Sequence, residues 1–431
     1  MTDPSGARDS QNRSPAYRIR VKGLVQGVGF RPFVYRLAHI FGYKGWVENR
    51  SDGVLIMIPA EGADPEPFLS ALRAEAPPAA DIESVEYQFA EVPLPDRFEI
   101  RRSNEGLGEI TEISPDIAVC RQCLEDMKKQ PHRIGYPLVN CTHCGPRFSI
   151  IRGLPYDREL TTMEPFIMCP ECTKEYADVG NRRFHAQPIA CNACGPKYSL
   201  IIQGNESALS SVEAMIEVIA ERIASGETVA LKGTGGYHLL CDAHQEDAVL
   251  RLREAKERDG KPFAVMFRDI KVAHRYVHID REEQDVITSW RKPVVLLRSK
   301  GTLPGLINGH LDTIGAILPY MPIHYLLFYQ LKTDAVVFTS GNISDEPVEI
   351  NDEKAVHSLG KVASAILRYN REIYNRADDS VVRVQGGQTM VIRRSRGYVP
   401  GPVRLKFDAE GIFAAGGELK GTFCIGRGKQ A

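Results

Sequence analysis

No apolar run in this 431-residue sequence approaches the roughly 18 residues needed to cross a bilayer. Residues 1–15 are polar and rich in Gly, Ser, Asp and Arg, with no charged-then-apolar leader, so neither a membrane span nor a secretory signal is expected and the cytoplasm is the default compartment. Charge of one sign is missing too: Lys plus Arg (54) nearly cancels Asp plus Glu (55), and nothing global points to nucleic acid, a membrane surface or an acidic partner. Any anion site must be local. Familiar nucleotide loops are also absent: there is no G-x-x-x-x-G-K-S/T motif, and Gly233-Thr234-Gly235-Gly236 falls short of a dinucleotide fingerprint.

What is present suffices for about two to four domains, each with its own core, at 43% hydrophobic residues. Pattern divides the chain into a disordered lead (1–15), a small domain (16–104), a cysteine block (110–202), a larger α/β domain (205–400) and a tail (401–431). In the small domain, residues 17–21 alternate as a strand, 32–41 have helical spacing, and 54–58 form an apolar run beyond Asp52-Gly53. A helix at 67–75 and strands at 85–89 and 98–100 follow, and these elements are read as a split β-α-β sandwich. Residues 103–108 read as a linker. In the α/β domain, Ser210 with Glu213 forms a capping-box signature, Val212, Met215, Ile216, Ile219 and Ile223 share a helical face, and Gly226 stands at the stop. Strands are predicted at 228–231, 263–267, 294–297, 335–339, 381–384 and 390–392, with helices at 246–255 and 322–331, Pro322 suiting a first turn.

Eight of the ten cysteines fall in four C-x-x-C pairs: Cys120/Cys123, Cys141/Cys144, Cys169/Cys172 and Cys191/Cys194. In a reducing compartment this is metal chelation rather than disulfide bonding. Each C-x-x-C turn puts two thiolates on one side of a metal, and two turns close a tetrahedral Zn²⁺ site with no vacant position, so two structural zinc ions are expected. The run Cys141-Thr142-His143-Cys144-Gly145-Pro146-Arg147-Phe148-Ser149-Ile150 recurs 50 residues later as Cys191-Asn192-Ala193-Cys194-Gly195-Pro196-Lys197-Tyr198-Ser199-Leu200. The repeat suggests pairing Cys120/Cys123 with Cys141/Cys144 and Cys169/Cys172 with Cys191/Cys194, although an interleaved pairing is chemically as good. A redox dithiol and an iron–sulfur site are the competing readings. His143 and His185 are read as structural or surface histidines, and Cys241 and Cys424 as small buried hydrophobes.

Gly23-Leu24-Val25-Gln26-Gly27-Val28-Gly29-Phe30-Arg31 lies between the opening strand and the first helix. Its glycines let backbone N–H groups converge on an anion, the helix N-terminus adds positive potential, and Arg31 can clamp two phosphate oxygens. A Gly-rich turn with a surface arginine is the plain alternative. This loop resembles the acylphosphatase signature, and Gly45-Trp46-Val47-Glu48-Asn49 resembles that family's second motif. The resemblance implies that Gln26, Gly27, Val28, Gly29 and Phe30 cradle a phosphoryl group, that Arg31 holds it and that Asn49 orients the attacking water. An acyl phosphate has a good leaving group, so positioning and charge neutralisation matter more than a nucleophile or a metal.

A third set is dispersed: Lys232 to His238, Lys256-Glu257-Arg258-Asp259-Gly260-Lys261, Thr339-Ser340-Gly341-Asn342, and Arg393-Arg394-x-Arg396. Alone, Lys256, Arg258 and Lys261 are a solvated helix end. Together the Lys-x-Arg and Ser-x-Asn elements resemble the YrdC family, which makes carbamoyl-type adenylates from ATP. That implies Lys232, Lys256, Arg258, Lys261 and one of Arg393 or Arg394 meeting the phosphates of ATP, with Mg²⁺, while Ser340 and Asn342 bond phosphate or ribose oxygens.

Taken in order, the three resemblances are those of the HypF family of hydrogenase-maturation carbamoyltransferases, over residues 17–402, and the stretches 140–151, 154–163 and 182–188 resemble it as well. The implied architecture is α+β and α/β multidomain: a ferredoxin-like acylphosphatase sandwich, a small double zinc module and a YrdC-like α/β domain. The implied chemistry is hydrolysis of carbamoyl phosphate, capture of carbamate as carbamoyl adenylate, and transfer to the C-terminal cysteine of HypE. Carbamate is short-lived in water, so an internal passage between the sites is expected. Residues 413–425, with Gly416-Gly417-Glu418-Leu419-Lys420, resemble the start of the family's transfer domain, and no complete third site is expected. One competing reading is a threonylcarbamoyl-AMP synthase acting in tRNA modification, which leaves the acylphosphatase-like domain without work. Another is a zinc-containing nucleic-acid or protein-binding module supported by Arg147, Arg182, Arg183 and Lys197, against which stand the balanced charge and the lack of interleaved aromatics. No membrane, double-stranded RNA or tRNA partner is expected.

Overall fold

The computed structural model describes residues 14–50, 53–60, 64–101, 113–258, 260–343, 346–416 and 423–431. The expectations for residues 1–13, the 103–108 linker and residues 417–420 lie outside them. Among the described residues no helix is long and apolar enough to cross a membrane.

Alternation in the first strand, Ser14–Leu24, buries Ile19 and Val21. It pairs antiparallel with Gly53–Pro59 on one side and Asp81–Val92 on the other. Gly45–Arg50 continues the sheet beyond Gly53–Pro59, and Phe98–Ile100 adds a short parallel edge. The helices Phe30–Ile40 and Glu66–Ala74 complete the split β-α-β order, and Phe68 packs on Phe41 and Tyr43. Gly45 is required where it stands: at φ 137°, a Cβ there would lie 2.0 Å from the Met57 carbonyl oxygen.

In the cysteine block two short helices, Arg121–Lys129 and Pro170–Ala177, begin directly after Cys120 and Cys169, which occupy equivalent cap positions. The two copies then diverge. Phe148–Ile150 is a 3₁₀ turn, whereas its counterpart opens the strand Tyr198–Ile202, which pairs with Ala365–Tyr369 in the large sheet. The second copy is therefore tied by backbone hydrogen bonds into the α/β fold.

That sheet has 11 strands of mixed direction, with Ala264–Phe267, Ala335–Ser340, Tyr237–Asp242 and Val229–Lys232 at its middle. The six strands and three helices expected from periodicity are present. Tyr237–Asp242, Thr313–Ile317 and Ala365–Tyr369, and the helices Ile270–Tyr276, Arg281–Thr288 and Asp352–Leu359, have no counterpart in the pattern. For Tyr237–Asp242 the reason is burial: every residue of it is buried, so that strand has no polar alternation to display. One cap moves by a residue. Ser211, rather than Ser210, accepts from the Ala214 N–H at the start of Val212–Ala224.

His324 stands in the first turn of Pro322–Gln330, its Nδ1 accepting from the N–H groups of Tyr320 and Met321. Burial, reinforced by nearby His238, pushes its pKa down to about 3. The unfolded imidazole titrates near 6.5, so the stability this neutral group confers is complete above that pH and is lost as pH falls towards 3. Between pH 7 and pH 5 it alone should remove on the order of 2 kcal/mol of unfolding free energy. Urea unfolding at the two pH values should show most of that difference disappearing in His324→Gln.

Candidate active sites and metal centres

Left-handed glycines shape the first site. Gly27 (φ 72°) and Gly29 (φ 82°) turn the chain so that Gly29 caps the Phe30–Ile40 helix. A Cβ at Gly29 would lie 2.9 Å from the His143 ring, so this approach also needs glycine. Helix N–H groups thereby face a small cavity lined by Gln26, Gly27, Gly29, Phe30, Arg31 and Asn49. Gln26 Nε2 donates to the carbonyls of Arg50 (2.6 Å) and Gly53 (2.9 Å), which ties the loop to the strand carrying Asn49. Asn49 is 1% exposed and its Oδ1 has no protein partner, an acceptor free for a ligand or an ordered water. The Val28 side chain belongs to the core, leaving only its backbone to the loop.

The facing wall comes from the cysteine block: Thr142, Arg147, Tyr156, His185 and Gln187. Arg31 Nη2 donates to Asp157 Oδ1 at 3.0 Å and to the Tyr156 carbonyl at 3.4 Å. Arg147 is buried and donates to the carbonyl of Gly27 in the loop and to those of Cys141, Thr142, Cys144 and Pro146. His185, read from sequence as structural or surface, lines the cavity on a backbone held at φ 53°. Burial first and the Arg31 cation second push its pKa down to about 4, so it presents a neutral imidazole at neutral pH. Nothing in local spacing marks Tyr156, Asp157, His185 or Gln187 as site residues; they arrive through tertiary packing, and the only sign is that 154–163 and 182–188 fall in family-like stretches.

The cysteines form two clusters, Cys120/Cys123/Cys141/Cys144 and Cys169/Cys172/Cys191/Cys194, which is the pairing the repeat suggests rather than the interleaved one. Neighbouring Sγ atoms are 3.5–3.8 Å apart. Disulfides need about 2.05 Å. Four thiolates around Zn²⁺ at about 2.3 Å stand about 3.8 Å from one another, so the donor set and spacing fit zinc. Cations back the thiolates: Arg182 Nη2 is 3.2 Å from Cys123 Sγ, and Arg133 Nη2 is 3.4 Å from Cys172 Sγ. Zinc would supply a cross-link here and leave no position open for catalysis.

The second anion site is a cavity of about 420 Å³ whose lining includes Lys256, Arg258, Lys261, Ser340, Asn342 and Arg393, a size suited to a small-molecule ligand. Lys256 Nζ donates to the Ser340 carbonyl (2.7 Å) and to Asn342 Oδ1 (3.2 Å), and Ser340 Oγ donates to the same amide oxygen at 2.7 Å. The Lys-x-Arg and Ser-x-Asn elements thus meet across 84 residues of sequence. Arg258 donates to Thr339 Oγ1 at 3.0 Å. Burial, then the repulsion of Arg253 and Arg393, lowers its pKa to about 10. Two expected members are not brought there. Lys232 is buried with Nζ 2.6 Å from Asp352 Oδ1, and it donates to the carbonyls of Tyr369 and Arg371. Arg394 donates to the Gly401 carbonyl and is not among the lining residues. The basic patch of the nucleic-acid reading also dissolves, since Arg147 and Arg183 are 1% and 2% exposed and Arg182 pairs with Asp126.

Comparison with known proteins matches residues 17–100 to the family described as acylphosphatase, 119–151 and 168–201 to the HypF finger, and 221–395 to the family described as telomere recombination, of the Sua5, YciO and YrdC proteins. Carbamoyltransferase HypF of Rhodobacter capsulatus is 44% identical over 420 residues, covering 96% of this chain and 55% of that protein. Carbamoyltransferase HypF of Rhizobium leguminosarum bv. viciae is 43% identical over 436 residues, covering 99% and 55%. A crystal structure of full-length HypF in a phosphate- and nucleotide-bound form superposes with a TM-score of 0.91 at 42% identity, covering 98% of this chain and 56% of that one. The chain thus spans about half the length of the relatives it matches.

Because the two clusters share no ligand, Cys120→Ser and Cys194→Ser should each reduce zinc from two to one per chain and lower the unfolding midpoint, and the double variant should bind none. Atomic absorption on the purified chain checks this; the full two equivalents in either single variant would contradict the ligand sets.

Proposed function

Because the chain belongs to the HypF carbamoyltransferase family, in which it spans the acylphosphatase, HypF finger and YrdC-type domains, we propose that it hydrolyses carbamoyl phosphate at the first site and forms carbamoyl adenylate from ATP at the second. The observation that carries this reading is the coexistence, in one polypeptide, of a glycine cradle closed by Arg31 and Asn49 and a separate, larger cavity lined by Lys256, Arg258 and Lys261.

At the first site the phosphoryl group lies against the N–H groups of residues 27–30, Arg31 takes two of its oxygens, and Asn49 Oδ1 accepts from the attacking water. Water adds to phosphorus, the P–O bond to the acyl group breaks, and phosphate and carbamate leave. The neutral His185 and the Gln187 amide lie on the acyl side, where they exclude water. At the second site a carbamate oxygen attacks the α-phosphorus of ATP and pyrophosphate leaves. Lys256, Arg258, Lys261 and Arg393 meet the charge that builds on the phosphates, while Ser340 and Asn342 fix the oxygens between them.

Carbamate passes inside the protein in this reading. The support is a buried polar path: Arg147 touches Gly27 of the first site and, through its backbone N–H, Asp116; Asp116 and Arg396 line one inner cavity; and Arg396 pairs with Asp379, which lines the second site. Onward transfer to the C-terminal cysteine of HypE is proposed for the whole family protein, which extends well beyond the part spanned here.

Arg31→Ala should lower carbamoyl-phosphate hydrolysis by at least ~100-fold while ATP binding persists, and Lys256→Met should spare phosphate release while abolishing carbamoyl-phosphate-dependent ATP/pyrophosphate exchange. Exchange with carbamoyl phosphate, bicarbonate and threonine is compared in parallel; threonine-dependent exchange, or normal hydrolysis by Arg31→Ala, would sink the proposal.

A further inference from the structure

One side chain of the first site has hydrogen-bonding capacity that the hydrolysis does not use. His185 lines the cavity on the wall that faces Arg31 and Asn49. Neither of its ring nitrogens has a hydrogen-bond partner among the described residues, although its backbone is fully committed. The His185 N–H donates to the Tyr176 carbonyl at 3.0 Å, and the His185 carbonyl accepts from Gln187 Nε2 at 3.2 Å.

The ring is also fixed in place. It lies between Tyr176, with ring centres 4.9 Å apart, and Phe184, met edge-on at 4.6 Å. The Tyr176 hydroxyl donates to Gln187 Oε1, which also accepts from the Arg158 N–H, so the Gln187 amide has its own orientation set. Phe184 meets Tyr35 of the Phe30–Ile40 helix at 5.3 Å, which registers this wall against the cradle. The imidazole is neutral at neutral pH and so carries one N–H and one bare nitrogen. With neither tied to protein, the bare one stands as an unused acceptor. Other polar groups of that wall are committed to protein carbonyls: Thr142 Oγ1 donates to Arg182 and Phe184, and the Tyr156 hydroxyl to Pro146.

In-line displacement puts the attacking water and the departing acyl group on opposite sides of phosphorus. Water on the Asn49 side therefore sends the acyl group towards the wall where His185 stands. Acyl phosphates differ at that end: a carbamoyl group carries an NH₂ with two donors, an acetyl group a methyl of similar size. Shape barely separates the two. A desolvated acceptor does, because a methyl leaves it bare and out of reach of water.

We propose that His185 is the residue by which the first site selects carbamoyl phosphate over acyl phosphates that lack an N–H, its bare ring nitrogen accepting from the carbamoyl amide. The assignment rests on the hydrolysis proposed for this site and adds the group that reads the substrate there.

The test compares kcat/KM for carbamoyl phosphate and acetyl phosphate in the intact chain. Wild type should prefer carbamoyl phosphate by about tenfold or more. His185→Phe keeps an aromatic ring between Tyr176 and Phe184 and removes both nitrogens; the preference should fall about tenfold, chiefly through KM, since the contact is made before and during P–O cleavage alike. Any loss from altered packing is common to both substrates and divides out of the ratio. His185→Asn, a residue type that also accepts the φ of 53° but lacks the reach of the ring, should lose the preference as well. The same ratio is read without turnover from thermal-shift titrations with two unreactive phosphonates, phosphonoacetamide, which keeps the NH₂, and acetonylphosphonate, which has methyl instead. A wild type that treats each pair alike, or a preference unchanged in the variants, overturns the assignment while the proposed hydrolysis stands. Wild type unable to hydrolyse carbamoyl phosphate defeats the proposed function and this assignment with it.

Discussion

One buried guanidinium joins the parts on which the first site depends. Arg147 has no carboxylate partner among the described residues, and its N–H groups are taken by carbonyls of Gly27 in the cradle and of Cys141, Thr142, Cys144 and Pro146 in the first cysteine cluster. A charge so buried needs every donor satisfied, because each one left bare in an apolar interior is destabilising by roughly 1–3 kcal/mol. The carbonyls can do this only if the Cys141–Cys144 turn holds its shape, and a metal bound by the four thiolates would hold it. Metal, turn, guanidinium and cradle thus form one mechanical series. Carbonyls satisfy the hydrogen bonds of Arg147 without cancelling its charge, so it adds to the positive potential around Arg31 that favours a phosphoryl group.

The cysteine block depends on its neighbours as well as on the metals its two clusters would hold. The second cluster has a separate apolar group of only four buried residues, Cys172, Ala186, Ile189 and Cys191. That is too little hydrophobic area to order some eighty residues against chain entropy. By contrast, the largest buried cluster runs through Val21 and Phe68 of the small domain, Cys123 and Cys141 of the first cysteine set, and Leu200 and Val336 of the large sheet. Three units separable by sequence pattern therefore share a continuous core. The consequence is a fixed distance between two sites that, in the proposed reading, handle a hydrolysable species in succession.

What could be read from the sequence was whatever is encoded locally. The C-x-x-C turns carry their chemistry in their spacing, whereas the Gly23–Arg31 loop and the Lys256-x-Arg258 and Ser340-x-Asn342 elements come into view through their resemblance to the acylphosphatase and YrdC families. Lys232 is next to a Gly-rich loop in sequence, yet its charge is met by Asp352, 120 positions away, and nothing local announces that partner. Tyr156, Asp157 and His185 escape for the same reason, since they belong to the first site only because the cysteine block folds over the cradle. Among the central strands only Tyr237–Asp242 has no counterpart in the sequence pattern: buried along its whole length, it has no alternation to detect. The repeat suggested the grouping of the cysteines that the structure shows but not the divergence of its two tails, which follows from what each copy packs against.

The contact between Arg31 and Asp157 explains how a closed first site still admits substrate. Arg31 gives one N–H edge to a single carboxylate oxygen at 3.0 Å, on a side chain that is 30% exposed and hence partly solvated. Arg31 is buried while Asp157 is partly in water, and this contact engages only one of the two carboxylate oxygens. A phosphoryl dianion offers two oxygens to the guanidinium at once, and it also collects the helix N–H groups that Asp157 does not reach. The exchange is therefore downhill once the anion enters, and the carboxylate, released towards water, loses little. Until then Asp157 keeps the guanidinium oriented and its charge partly compensated, so the cradle waits in nearly its working geometry. In the proposed reading, Asp157, a partly exposed side chain at the edge of the site, is the carboxylate that the phosphoryl group displaces from Arg31.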